Sequence, residues 1–108
     1  MTRMLTQDPA VSLKKEEAAV VVFCASWCGD CWRSLDYEKK LAAEFSGKAG
    51  FYRMDAEEFE AIADKYGVER YPTYVFFEKG KPRRGILVEP VAEGEARNWV
   101  EMQLSKKR

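Results

Sequence analysis

Histidine is absent from the 108 residues of this chain, and its absence removes several classes of chemistry. Without an imidazole there is no Cys-His or Ser-His catalytic pair and no histidine metal site. Cysteine is scarce as well, with 3 residues, and an odd count argues against the disulfide framework of a small secreted domain. Long hydrophobic runs are also missing. The longest apolar run, residues 18–25, is far too short to span a bilayer.

An excess of one charge is lacking too, since 18 basic side chains balance 18 acidic ones. The overall charge therefore gives no reason to expect a nucleic acid or an anionic membrane as a partner. The one basic cluster surrounds a predicted turn and is interpreted as a solvated edge: Lys79, Lys81, Arg83 and Arg84. We expect a monomer with no nucleic-acid or membrane partner.

The length fits one domain over residues 1–108, with 105–108 as a frayed, charged tail. The first 17 residues contain several charged ones and no apolar signal-peptide core: Arg3, Asp8, Lys14, Lys15, Glu16 and Glu17. We therefore expect a cytoplasmic protein in a reducing compartment. Prior removal of a signal peptide stays open as an alternative.

Apolar periodicity predicts an α/β protein. The run 18–25 is rich in β-branched residues and uncharged, which is typical of a strand buried on both faces. Further strands are predicted over 51–55, 73–77 and 83–88, and helices over about 9–15, 28–46, 57–66 and 96–104. We expect the second helix to bury Cys31, Leu35, Leu41, Ala42 and Phe45. This order of elements predicts a central mixed sheet with helices on both faces.

The most informative motif is Trp27-Cys28-Gly29-Asp30-Cys31, directly after the buried strand. Two cysteines at this spacing on the first turn of a helix can close a small disulfide ring or open to a dithiol. Two reduced cysteines that merely pack in the core are the plain alternative. The exposed character of Gly29 and Asp30 favours the redox interpretation.

Together with Tyr71-Pro72-Thr73 about forty residues downstream, the motif resembles that of the thioredoxin family. The likeness covers roughly residues 18–104 and implies the thioredoxin fold, with a short or weak N-terminal strand. It implies that Pro72 is cis and lies against the disulfide, and that the backbone of Tyr71 pairs with an extended client segment. It also implies client proteins with disulfides, no bound prosthetic group, and electrons from NADPH through a thioredoxin reductase.

Within that resemblance, Cys28 is the expected nucleophile, because a helix N-terminus favours a thiolate by about 0.3–1 kcal/mol. Cys31 is expected to resolve the mixed disulfide and release the reduced client. Trp27 and Gly29 would offer the contact surface, and the bulk of Tyr71 would narrow it. The predicted activity is thiol–disulfide oxidoreduction on proteins.

Three departures from the family pattern matter. Asp30 stands where proline is usual, and Val22 and Phe51 replace a buried aspartate and its lysine. Removing both charges of a buried pair is often neutral or stabilising. The Asp30 charge is expected to raise the thiolate pKa of Cys28. Asp30 is either a proton acceptor for Cys31 or only a favourable acid in a first helical turn.

Rival interpretations remain. Cys24, Cys28 and Cys31 match a C-x3-C-x2-C iron–sulfur spacing, although Cys24 falls on a predicted buried strand. Cys24 itself is interpreted as a packed small hydrophobe or as a third redox thiol. A thioredoxin-fold binding or chaperone-like module with little redox turnover is the alternative function. A glutaredoxin-like role finds no glutathione-site signature in the chain.

Overall fold

The structure, a computed structural model, describes residues 3–106. The strands are β1 Arg3–Met4, β2 Ala19–Cys24, β3 Gly50–Asp55, β4 Thr73–Glu78, β5 Lys81–Pro82 and β6 Leu87–Val88. The helices are α1 Pro9–Ser12, α2 Gly29–Glu44, α3 Glu60–Lys65 and α4 Glu93–Ser105. Of the predicted tail, Ser105 still belongs to α4, while residues 107 and 108 lie outside the described residues. No helix in the described part of the chain is long and apolar enough to cross a membrane.

The strands form one mixed sheet in the order β1-β3-β2-β4-β5, with β6 also paired to β4. β1, β3 and β2 run parallel, whereas β4 is antiparallel to β2. Every residue of β2 is buried, as expected for a central strand covered on both faces. The predicted mixed sheet is confirmed, and its N-terminal strand is only two residues long.

Helices cover both faces of the sheet, as predicted, and the two sides differ in chemistry. We call the side under α2 and α4 the thiol face. Its core includes Val22, Cys24, Cys28, Cys31, Leu41, Phe51, Tyr74, Phe76, Trp99 and Val100. We call the side under α1 and α3 the apolar face. Its core includes Leu13, Val21, Phe23, Tyr52, Met54, Ala63, Val75 and Phe77.

Of the strand predicted over 83–88, only β6 Leu87–Val88 is present, and a second short strand, β5 Lys81–Pro82, lies before the predicted range. Between them the chain turns at Gly85, whose φ of 81° is in the left-handed region that glycine adopts easily. The Trp99 indole N–H donates to the Gly85 carbonyl at 2.6 Å, and the Arg83 guanidinium donates to the Gln103 carbonyl at 2.7 Å. These bonds to α4 replace the ladder that a continuous strand would form.

The third helix begins later than predicted, at Glu60 instead of 57. The Asp55 carboxylate accepts hydrogen bonds from the backbone N–H groups of Glu57 and Glu58, at 2.9 and 3.1 Å. This side chain stabilises a turn that competes with the helix in that segment. At the start of α1, the Asp8 carboxylate caps the helix by accepting a 2.9 Å hydrogen bond from the Ala10 backbone N–H.

Candidate active site

The two cysteines of the motif meet at the start of α2. Cys28 is the N-cap residue, and its Sγ accepts a hydrogen bond from the Cys31 backbone N–H at 3.2 Å. The Cys28 thiol in turn donates to the Tyr71 carbonyl at 3.6 Å. The Tyr71–Pro72 peptide bond is cis, as the resemblance implies. The loop before β4 therefore lies directly against the first turn of α2.

Both thiols are buried, with 7% of Cys28 and 2% of Cys31 exposed. Burial raises the pKa of Cys28, the neighbouring Cys31 thiol and the Glu89 charge raise it further, and the Cys31 N–H lowers it. A hydrogen bond with the Cys24 thiol and burial raise the pKa of Cys31 strongly, although a hydrogen bond with Cys28 opposes them. Burial, and not a nearby acid, is thus the main cause that disfavours a thiolate at Cys28.

An open groove of about 420 Å³ runs over Cys28. It is lined by Trp27, Cys28, Gly29, Asp30, Glu69, Arg70, Tyr71 and Glu89. The Trp27 side chain is 66% exposed, and its ring meets the edge of the Tyr71 ring at a centroid distance of 5.8 Å. The Trp27 indole also donates to the Glu57 carboxylate at 2.5 Å. The groove thus brings together most of the residues predicted to contact a client.

Pro72 is buried next to the groove residue Tyr71, and its carbonyl accepts a 2.8 Å hydrogen bond from the Glu89 backbone N–H. Arg70, which lines the groove, forms a 3.5 Å ion pair with the Glu89 carboxylate. Glu89 has a φ of 48°, an uncommon conformation for a residue other than glycine. The Pro72 bond and the Arg70 ion pair hold the acid beside Cys28.

Asp30 is exposed at the helix surface. Its carboxylate forms an ion pair with the Arg33 guanidinium one turn further along α2. Both side chains are more than half exposed, so the pair contributes at most about 1 kcal/mol. A role for Asp30 as proton acceptor for Cys31 stays a prediction.

Behind Cys31 lies a buried ion pair that the sequence analysis missed. Val22 and Phe51 are buried and apolar, as predicted for the two exchanged positions. Yet Arg53 Nε lies 2.9 Å from Glu38 Oε1, with side chains that are 14% and 0% exposed. The two atoms are in ion-pair contact without being aligned as a hydrogen bond. The thiol face therefore contains a buried ion pair, but it lies at Glu38 and Arg53 and not at Val22 and Phe51.

This pair is tied to the redox motif through several hydrogen bonds. Arg53 Nη2 donates to the Cys31 carbonyl at 3.0 Å and lies 3.0 Å from Cys24 Sγ. The Ser34 hydroxyl bridges the Glu38 carboxylate and the Cys31 carbonyl. Its oxygen lies 2.6 Å from Glu38 Oε2 and 3.2 Å from the Cys31 carbonyl oxygen. Burial raises the pKa of Glu38, while the Arg53 charge and the hydrogen bonds lower it. The pair thus supports the first turn of α2 from below.

A positional signal for this pair exists in the sequence. Ser34 and Glu38 stand three and seven residues after Cys31, so the three share one stripe of a helix. Arg53 follows Phe51 by two residues, which puts both on one face of a strand. Leu35 was expected to be buried but is only half-buried, whereas Ser34 and Glu38 are fully buried. A prediction based on hydrophobicity alone therefore selects Leu35 as the buried residue instead of its neighbour Ser34.

A metal centre finds no support in the structure. Within residues 3–106, no group of three or more His, Cys, Asp or Glu side chains is placed to hold a metal ion. Cys24 ends β2 and is buried, and its Sγ is in contact with Arg53. A cation beside the sulfur is an unfavourable neighbour for a metal ligand.

Comparison with known proteins assigns the chain to a family. The thioredoxin family model matches residues 6–101. The M-type chloroplastic thioredoxin of Brassica napus is 36% identical over 75 residues, covering 69% of this chain and 42% of that protein. The thioredoxin of Staphylococcus aureus is 38% identical over 63 residues, which are 58% of this chain and 61% of that protein. The chain thus spans less than two thirds of the length of each of these relatives.

Solved structures agree on the fold. The Malassezia sympodialis thioredoxin superposes with a TM-score of 0.83 at 23% identity, covering 95% of this chain and 93% of that one. The oxidised thioredoxin of Plasmodium falciparum gives 0.82 at 19% identity, covering 96% and 99%. The fold is therefore the thioredoxin fold. Because the family model covers nearly the whole chain, the protein belongs to the thioredoxin family.

Proposed function

We propose that this protein is a thiol–disulfide oxidoreductase that reduces disulfides in client proteins. The observation that supports this most directly is the placement of Cys28, which caps α2, contacts the Tyr71 carbonyl and lies under an open groove. An approaching disulfide reaches the Cys28 sulfur first, whereas Cys31 lies one turn deeper. This arrangement favours attack by Cys28 and resolution by Cys31.

The reaction transfers two electrons from the protein to the client. The Cys28 thiolate attacks one client sulfur, and the other client sulfur leaves as a thiolate. Cys31 then loses its proton and attacks Cys28 Sγ, which releases the second client thiol and closes the Cys28–Cys31 disulfide. The Cys31 N–H at 3.2 Å from Cys28 Sγ stabilises negative charge on that sulfur when it leaves or attacks.

The client segment is proposed to bind in the groove beside the cis peptide. There the Tyr71 backbone would pair with an extended chain, and the exposed Trp27 ring would pack on it. Three acidic residues line the groove: Asp30, Glu69 and Glu89. Ion pairs with Arg33 and Arg70 balance two of these charges, so the rim remains acidic. Clients with basic residues near the disulfide should therefore be favoured over acidic ones.

The electron donor is proposed to be a thioredoxin reductase that draws on NADPH, as in the family. Cytoplasmic residence in a reducing compartment is also proposed, since a dithiol must be regenerated to turn over. Among the relatives, several are chloroplastic by name, so the compartment needs its own test. Fractionation of the native cells, followed by detection with an antibody, decides it.

Insulin reduction tests the activity. Turbidity from precipitating insulin chains should appear faster with the wild-type protein and dithiothreitol than with dithiothreitol alone. With NADPH and a thioredoxin reductase as the only reductants, turnover tests the proposed donor separately. Activity with dithiothreitol but not with the reductase would retain the reaction and reject that donor.

The matched control is Cys28→Ser, which retains a good N-cap side chain and removes the attacking sulfur. We expect the rate to fall to that of dithiothreitol alone. Equal rates for wild type and Cys28→Ser would contradict the oxidoreductase proposal. Binding of clients by both proteins without turnover would instead support a binding module.

A further inference from the structure

A third thiol lies next to the resolving cysteine. Cys24 ends β2, is buried, and lines a small cavity of about 180 Å³ together with Cys31 and Arg53. Arg53 Nη2 is 3.0 Å from Cys24 Sγ and 3.0 Å from the Cys31 carbonyl oxygen. Arg53 Nη2 thus contacts both the sulfur of Cys24 and the backbone carbonyl of Cys31.

Cys31 lies between two thiols. The neighbouring thiols affect the pKa of Cys31 in opposite directions: interaction with the Cys24 thiol is the largest cause that raises it, and interaction with the Cys28 thiol lowers it. Both cysteines line the same cavity, so their side chains border one shared space. The positive charge of Arg53 lies where negative charge develops on Cys24 when its sulfur acts as a nucleophile.

We propose that Cys24 is a third redox thiol, which exchanges with the Cys28–Cys31 disulfide to give a Cys24–Cys31 disulfide. This inference rests on the proposed function, which supplies the starting disulfide. The Cys24 thiolate attacks Cys31 Sγ, so the Cys24–Cys31 bond forms as the Cys28–Cys31 bond breaks. Cys28 leaves as a thiolate and takes up the proton that Cys24 released. No electrons enter or leave the protein.

The exchange would give the oxidised protein two forms with different chemistry. In one form, Cys28 is linked to Cys31 and is inert. In the other, the disulfide lies behind the site and Cys28 is again a free nucleophile under the groove. That second form can attack a client disulfide but has no free Cys31 to resolve the mixed disulfide, so it would hold the client covalently.

The first test uses Cys28→Ser, which leaves Cys24 and Cys31 as the only thiols. The variant is equilibrated with reduced and oxidised dithiothreitol, quenched with acid, and its free thiols are counted after unfolding. We expect both thiols to be lost together in a monomer. The double variant Cys24→Ser, Cys28→Ser is the control and should keep its single thiol. Retention of both thiols by Cys28→Ser would overturn the proposal.

The second test maps the wild-type protein after the same oxidation. Remaining thiols are blocked with N-ethylmaleimide, and chymotrypsin cleaves after Phe23, Trp27 and Trp32 to separate residues 24–27 from 28–32. We expect a fraction of the two peptides to be linked, with the label on Cys28. Only an intact 28–32 ring, with the label always on Cys24, would overturn the exchange while leaving the proposed function standing. Absence of both disulfides would reject the proposed function itself.

Discussion

The two faces of the central sheet are both covered by helices but bury different kinds of side chain. On the apolar face, α1 and α3 cover a core of aliphatic and aromatic residues, and its charged groups lie at the rim. On the thiol face, three cysteines, a carboxylate and a guanidinium lie among the apolar side chains. The comparison indicates that one face mainly stabilises the fold and the other carries the function at a cost in stability.

The cost arises because buried charges lose their hydration. The attraction between Glu38 and Arg53 offsets this loss of hydration only while both partners are present. The Phe77 side chain on the apolar face has no such dependence, since its contribution comes from apolar area removed from water. Mutations on the two faces should therefore differ in whether a second change can restore stability.

The largest expected effect is that of Arg53→Met. The Glu38 carboxylate would then be buried without its cation, and we expect the free energy of unfolding to fall by about 3–5 kcal/mol at neutral pH. Burial already raises the pKa of Glu38, and loss of the Arg53 charge should raise it further. The loss of unfolding free energy in Arg53→Met should therefore grow as the pH rises above the ordinary Glu pKa of 4.5, and it should shrink at lower pH. Urea unfolding at several pH values measures this.

Glu38→Gln added to Arg53→Met is the rescue. The amide oxygen can still accept hydrogen bonds from the Ser34 and Tyr74 hydroxyls, but the side chain carries no charge. Most of the lost stability should therefore return. On the apolar face, Phe77→Ala should also cost about 3–5 kcal/mol, with little dependence on pH. A double variant no more stable than Arg53→Met would contradict the difference between the faces.

A smaller effect is expected at alkaline pH in the reduced protein. The pKa values of Cys28 and Cys31 are raised above their ordinary value of 9.0 in the folded protein. Unfolded chains then lose these protons first, so stability should fall between pH 8 and 10, by at most about 1.4 kcal/mol per pH unit for each thiol. Cys31→Ala should flatten this slope. A slope identical in the variant would contradict the raised pKa of Cys31 as a cause of the lost stability.

The smallest effect is expected at the rim of the apolar face. The Asp8 carboxylate caps α1 and accepts hydrogen bonds from Lys65 and Tyr66. Burial alone would raise its pKa, but the Lys65, Tyr66 and Ala10 bonds outweigh it and lower the pKa. Its stabilisation should be present above about its ordinary value of 3.8 and be lost as the pH falls further.

For Asp8→Ala we expect a loss of about 1 kcal/mol at neutral pH, measured by urea unfolding. Asp8→Asn retains the cap without the charge and should lose less. If both variants lost the same amount, the cap bond that Asp8→Asn retains would contribute nothing, and the charge would account for the whole stabilisation.

Much of the fold could be predicted from the sequence because local patterns determine it. The uncharged run ending at Cys24 predicts a central strand, and helical spacing from Ala96 to Gln103 predicts α4. The break between β5 and β6 was not predictable in this way. It depends on bonds from Trp99 to Gly85 and from Arg83 to Gln103, which join residues far apart in the chain.

The candidate site shows the same division. The spacing of Cys28 and Cys31 and the position of Tyr71-Pro72 are visible in the sequence, and the structure brings them together. The contact of Arg53 with Cys24 and Glu38 was not predicted, because a charged residue in a strand is ordinarily assigned to the solvent side. Only the packing of α2 on β3 buries both charges and makes them partners.

The most direct test of the central claim is a redox titration of the wild-type protein in dithiothreitol buffers of graded potential. Free thiols are counted after an acid quench, starting from the three cysteines of the chain. We expect a single two-electron transition that leaves one thiol, with the ratio of the two forms changing tenfold for about 30 mV. Three thiols at every potential, or loss of thiols only through covalent dimers, would contradict the account.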